Sequence, residues 1–145
     1  MQRHILHTHY FEYPPEVIWS YLTKPEKLSW LMENDIKPEV GAEFMFRTKA
    51  RIKVGFDGNI FCKVIEVVPY EKLSYSWKGG PGDGTINLDT IVIWSMVRQG
   101  GGTLLTLEHK GFHWLKNLIP FLVMRMGWER GLKVKLTKAL HKNEK

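Results

Sequence analysis

The spacing of polar and apolar positions changes its period twice along this chain. Residues 3–12 alternate and carry β-forming side chains, which predicts a strand. Tyr13-Pro14-Pro15-Glu16 breaks that alternation. Proline is tolerated in a first helical turn, because the N–H it lacks would have no intrahelical partner. Val17, Ile18, Tyr21 and Leu22 then follow at helical spacing. Lys24-Pro25-Glu26-Lys27 ends this helix and starts a second short one through Leu28 and Leu31, and Pro38 and Gly41 close the helical region.

Alternation resumes at Phe44 and Phe46. Ile52–Phe56 and Ile60–Val68 read as strands parted by a turn at Asp57-Gly58-Asn59. After a tight connection at Pro69–Lys72, Leu73, Tyr75 and Trp77 alternate with Ser74, Ser76 and Lys78, the mark of a half-buried strand. Gly79–Gly84 forms a loop, and Ile86–Val97 is a strand with Val92, Trp94 and Met96 on one face. Gly100-Gly101-Gly102 turns the chain into a strand over Thr103–His109, with Leu105 and Leu107 on one face.

The period becomes helical again from about Asn117 or Leu118 to about His141. At about 100° per residue, Phe121, Trp128, Leu132, Leu136 and Ala139 share one broad stripe, while Lys133, Lys138 and Lys142 fall outside it. A strand, two short helices, a run of strands and a final helix predict an α+β layer fold. The long C-terminal helix must cover the apolar face of a curved antiparallel sheet.

Composition adds bounds. A chain of 145 residues fits one domain, residues 1–145, large enough to fold without disulfide or metal. Cys62 is the only cysteine, so no intrachain disulfide can form, which suits a reducing compartment. The start of the chain carries no secretory h-region, and the apolar run 118–124 is too short to span a bilayer. Cytoplasmic localisation is therefore expected, without membrane insertion. The net charge is +6, and seven Arg/Lys lie between Arg125 and Lys145 against Glu129 and Glu144. Such an excess suits an anionic partner, but cations spread along a helix end read more simply as a solvated face. No nucleic-acid-binding module is recognisable. The 79–84 loop lacks the Gly-Lys-Ser/Thr of a phosphate cradle.

Several phrases in order resemble a known family. They include Pro14-Pro15-Glu16-Val17-Ile18-Trp19, Lys24-Pro25-Glu26-Lys27-Leu28, Glu66-Val67-Val68-Pro69 and Leu73-Ser74-Tyr75-Ser76-Trp77. Gly102-Thr103-Leu104-Leu105-Thr106-Leu107, His109-Lys110-Gly111-Phe112 and Gly127-Trp128-Glu129 continue the series. Together they resemble the AHSA1-like (activator of Hsp90 ATPase homologue) domains of the START-like, Bet v 1-like SRPBCC superfamily. That resemblance implies a helix-grip fold, with a cavity between sheet and helix that binds lipids, polyketides or flavonoid-like molecules in many relatives. The partners it implies are a small apolar ligand and, through the co-chaperone, an Hsp90-type chaperone. No counterpart of the co-chaperone's separate N-terminal domain is found in these residues. Cyclases and hydrolases also occur in the superfamily.

Strand alternation then names the side chains expected to face inward: Phe44, Phe46, Tyr75, Trp77, Val92, Trp94, Met96, Leu105, Leu107 and His109, met from the helix by Trp128 and Leu132. They would line a ligand pocket or fill a core. Arg125 lies four after Phe121 and three before Trp128, so it shares the stripe facing the sheet. It would anchor a ligand carboxylate or phosphate, pair with a protein acid, or snorkel to the cavity mouth. His7 and His9 share one side of their strand, but no Cys or carboxylate completes a metal-ligand spacing. His109 has no nucleophile or carboxylate partner at a diagnostic spacing. No metal, no cofactor and no catalytic set is expected, and the function expected is non-catalytic binding of a small apolar or amphipathic ligand. The oligomeric state is left open.

Overall fold

A computed structural model describes residues 2–48 and 57–144 of the chain. The strand expected at Ile52–Phe56 lies outside the described residues. Among the described residues seven strands form one antiparallel sheet: β1 (Gln2–Phe11), β2 (Glu33–Asn34), β3 (Glu43–Arg47), β4 (Asn59–Val68), β5 (Lys72–Gly79), β6 (Leu88–Gln99) and β7 (Gly102–His113). Their spatial order is β1-β7-β6-β5-β4-β3-β2. Neighbours in sequence pair with one another from β2 to β7, and β1 closes the sheet by pairing with the last strand. Helices α1 (Pro15–Thr23) and α2 (Pro25–Leu28) carry the chain from one edge of the sheet to the other. The final helix comprises α3 (Leu118–Arg130), a π-helical stretch (Gly131–Leu136) and α4 (Thr137–Asn143). This is the helix-grip arrangement: a curved antiparallel sheet with a long C-terminal helix.

Register explains why the apolar residues converge. Val64 pairs with Tyr75, Tyr75 with Val92, and Val92 with His109, so one inward row crosses four strands. Leu73, Trp94 and Leu107 form the next row, and Met96 opposite Leu105 the one beyond. Side chains directly opposite each other on one face touch, so each row is a packed ladder. The alternation of β5 and β6 dictates this placement. β7 extends past the expected His109 because of Gly111, whose φ of +103° belongs to the region glycine adopts freely. The β1–β7 register shifts there: Arg3 pairs with Phe112 and His4 with Lys110, leaving Gly111 as the extra residue of a bulge. The bulge reverses the inward phase, so Phe112 rather than residue 111 turns into the core.

The C-terminal helix differs from its expected phase. Trp128, Leu132, Leu136 and Leu140 are all buried at a strict spacing of four, while Ala139 is only half-buried. In a regular α-helix each step of four over-rotates by about 40°. A π-helical turn closes i→i+5 bonds and winds more loosely. The stretch 131–136 therefore cancels the drift and keeps these four side chains on one line against the sheet. The far end of the helix is tied to α1, since Tyr21 donates to Glu144 Oε2 at 3.0 Å and Lys27 lies 3.6 Å from the same oxygen.

Candidate functional site

The space between sheet and helix is occupied by the chain's own rings. Trp128 descends from α3 between two sheet tryptophans, its centroid 5.4 Å from Trp77 and 5.6 Å from Trp94. Phe46 lies 5.2 Å from Trp77, Phe44 lies 5.0 Å from Tyr75, and Trp30 reaches Trp94 from beyond α2 at 6.4 Å. Tilted and edge-on pairs at such separations are favourable in their own right. Every residue expected to face inward from the sheet is buried: Phe44, Phe46, Tyr75, Trp77, Val92, Trp94, Met96, Leu105, Leu107 and His109. Trp128 and Leu132 meet them from the helix and are buried too. Of the two readings open for this set, a pocket wall and a filled core, the contacts match the filled core.

The buried polar atoms are spent on one another. Trp94 Nε1 donates to Tyr75 Oη at 2.9 Å. Trp128 Nε1 donates to His109 Nδ1 at 2.9 Å, and His109 Nε2 lies 2.7 Å from Thr90 Oγ1. An indole N–H only donates, so Nδ1 must carry the lone pair and Nε2 the proton. Nε2–H therefore donates to Thr90, whose hydroxyl donates in turn to Trp77 O at 2.8 Å. Both ring nitrogens of His109 are engaged, and burial lowers its pKa to about 3. The imidazole is a structural clasp between helix and sheet, with no free lone pair for proton transfer. Burial likewise pushes up the Tyr75 hydroxyl and the Cys62 thiol. Among the described residues no buried side-chain polar atom lacks a partner.

Arg125 does not face the sheet and takes the snorkelling arrangement among those open to it. It is exposed, with its guanidinium over the Phe121 ring at 5.7 Å from the centroid. Arg3 of β1 sits over the same ring at 5.6 Å. The residue is a turn away from Phe121 but rotated by about 40° toward the sheet edge. From there the long stem reaches water without crossing the core, the snorkelling arrangement. His7 and His9 share one side of β1, as alternation predicts. With Thr8, Glu129, Leu132 and Lys133 they line a depression of about 20 Å³, too small for a ligand larger than a water. His7 Nε2 lies 3.3 Å from the backbone oxygen of Arg125. Burial, and then the charge of Lys133, lower the pKa of His9. Among the described residues no group of three His, Cys, Asp or Glu is placed to hold a metal ion. A second depression, of about 80 Å³, lies beside Gly80–Ile86, bordered by Asp57 and Phe61.

The outward face of α3, which the inward-facing pattern does not include, is apolar as well. Leu115 just before it is 63% exposed, Ile119 60% and Met126 71%, with Leu122 and Val123 also open to solvent. The apolar run 118–124 carries the signal: too short for a membrane span, it is still more apolar than a single inward stripe requires. A helical stretch apolar on all sides, as residues 118–124 are, is ordinarily covered on all sides.

A family profile described as "Activator of Hsp90 ATPase homolog 1-like protein" matches residues 12–141. The chain belongs to this family. Its members are generally non-catalytic binding domains. Protein MLL2253 from Mesorhizobium loti superimposes with a TM-score of 0.86 at 29% identity, covering 99% of this chain and 100% of that one. CalU16 from Micromonospora echinospora gives 0.70 at 21% identity, over 97% and 83% of the two chains. A protein described as the Aha1 dimer from Colwellia psychrerythraea gives 0.70 at 19% identity, over 90% of each. The last two likenesses are of fold. No curated protein matches the chain. Among the described residues no helix is long and apolar enough to cross a membrane.

Proposed function

We propose that this chain is a non-catalytic binding module whose contact surface is the outward face of α3, with the aromatic interior serving as its rigid support. One observation carries this reading: a helix whose inner side chains fill the core still presents Ile119, Leu122, Val123 and Met126 to water. Contiguous exposed apolar surface on a folded domain marks an interaction site. The ring contacts behind it hold the helix in one position, so the face is presented preorganised. The family description, which concerns activation of a chaperone ATPase, is in keeping with a surface-binding role.

Binding of a small apolar or amphipathic molecule between sheet and helix is the second reading. The apolar wall of Tyr75, Trp77, Val92, Trp94, Leu107 and Trp128 favours it, because burial contributes roughly 25 cal/mol per Å² to any lipid-like tail that enters. It requires Trp128 to part from Trp77 and Trp94. Neither His109, clasped on both nitrogens, nor Arg125, directed to solvent, would orient the ligand without rearrangement. Titration with fatty acids and flavonoids, followed by Trp fluorescence and near-UV circular dichroism, separates the two. The surface reading expects any saturable response to vanish in the Ile119→Glu/Met126→Glu variant with the near-UV spectrum unchanged. A response that survives in this variant and alters the near-UV bands of the buried tryptophans would replace it with the internal-site reading.

A further inference from the structure

From the outward face of the C-terminal helix we infer that the partner it fits is an anionic phospholipid surface, on which the helix lies flat. This rests on the surface reading above and names its partner. Residues 118–143 form one continuous rod about 40 Å long. Ile119, Val123 and Met126 stand opposite the buried Phe121 and Trp128. Beyond them Arg130, Val134 and Lys138 each fall two residues before a buried leucine, at 132, 136 and 140, and Lys142 falls two after the last. Two residues are about half a turn, so these four continue the same outward line. The π-helical stretch that keeps the leucines in register keeps this line straight as well.

The line is thus apolar in its first half and, apart from Val134, cationic in its second. No Asp or Glu occurs between Glu108 and Glu129. Glu129 is neutralised locally by Lys133 at 2.9 Å, and Glu144 is turned inward onto Tyr21 and Lys27. Trp114, half-exposed just before the helix, supplies an indole of the kind that settles at headgroup depth. A bilayer with anionic headgroups answers both halves at once: acyl chains receive the apolar ridge while phosphates meet Arg130, Lys138 and Lys142. A second copy of this chain docked through the same helix face would cover the apolar half but offer no counter-charge to the cationic half. Neither of the two depressions described above is lined by a residue of this line, which suits a fluid surface that moulds to it better than a shaped partner.

The test is co-sedimentation of the full chain with phosphatidylcholine vesicles, with and without phosphatidylglycerol, at low and high salt. The expected result is pelleting with the anionic vesicles alone, reduced by salt and accompanied by a blue shift of Trp emission that Trp114→Phe removes. Ile119→Glu/Met126→Glu should abolish pelleting. Lys138→Gln/Lys142→Gln should weaken it about 25-fold, since each basic residue near such a surface contributes about fivefold. All four positions are exposed, so thermal unfolding curves should match the parent. Absence of pelleting with anionic vesicles at low salt, or pelleting indifferent to both pairs of changes, overturns the inference. If instead sedimentation velocity reveals a dimer that Ile119→Glu/Met126→Glu dissolves, the occupant is a second copy: the lipid inference fails and the surface reading stands.

Discussion

Replacing His109 with glutamine should flatten the acid limb of the stability curve, because His109 is the buried base whose protonation opposes folding. In the folded state its pKa is about 3, lowered by burial. In the unfolded chain it returns to about 6.5. Between those values the unfolded chain binds a proton that the folded chain refuses, so stability (the free energy of unfolding) rises with pH at up to about 1.4 kcal/mol per unit. The contribution is complete above pH 6.5 and is lost progressively as pH falls toward 3. Integrating from pH 6.5 to 4.5 gives a loss of about 2 kcal/mol from this one imidazole. The His109→Gln side chain would carry an amide that can accept from Trp128 and donate to Thr90 without titrating, so the substitution's own cost at pH 7 should be within about 1–3 kcal/mol. The measurement is urea unfolding of both proteins at several pH values, with the difference taken so that the common carboxylates cancel. The expected outcome is that the gap between parent and variant narrows by about 2 kcal/mol from pH 6.5 to 4.5. A gap independent of pH would show that His109 titrates normally and that the clasp between Trp128 and Thr90 does not exist. Nitrogen-15 spectra give a second reading, with His109 expected as the Nε2–H tautomer down to pH 5.

Trp128→Ala should cost about 3–5 kcal/mol in equilibrium urea unfolding, since it removes the ring between Trp77 and Trp94 and leaves His109 Nδ1 without a donor. A loss below about 1 kcal/mol would mean the interior relaxes around the gap, contrary to its packing. Cys62 should react with a thiol reagent at pH 8 only as fast as the protein unfolds, because burial disfavours the thiolate. Labelling of the native protein at the rate of a free thiol would refute that.

Strand identity and facing were legible in the sequence wherever one face is wet and the other dry. Leu73, Tyr75 and Trp77, or Val92, Trp94 and Met96, alternate with polar or solvent-facing neighbours, and a period of two admits only one assignment of faces. The helix boundary at Leu118 and the buried Phe121, Trp128, Leu132 and Leu136 followed from the 3.6-residue period in the same way. The family, and with it the helix-grip arrangement, was carried by the order of several weak phrases. What tertiary structure alone decided depends on distances between elements. The two-residue strand β2 exists because β3 offers it an edge. The π-helical turn arises because the leucines must stay aligned on a sheet that the local sequence does not contain. Periodicity could place Arg125 near the stripe, but the position of the sheet edge determined that its guanidinium escapes to solvent beside Phe121. His109 looked free because its partners, Thr90 and Trp128, lie nineteen residues to either side and meet it only through the β6–β7 pairing and the descent of α3. Whether the inward aromatics enclose space or fill it is also a matter of interlayer distance: alternation fixes direction, and only the approach of the helix brings Trp128 against Trp77 and Trp94.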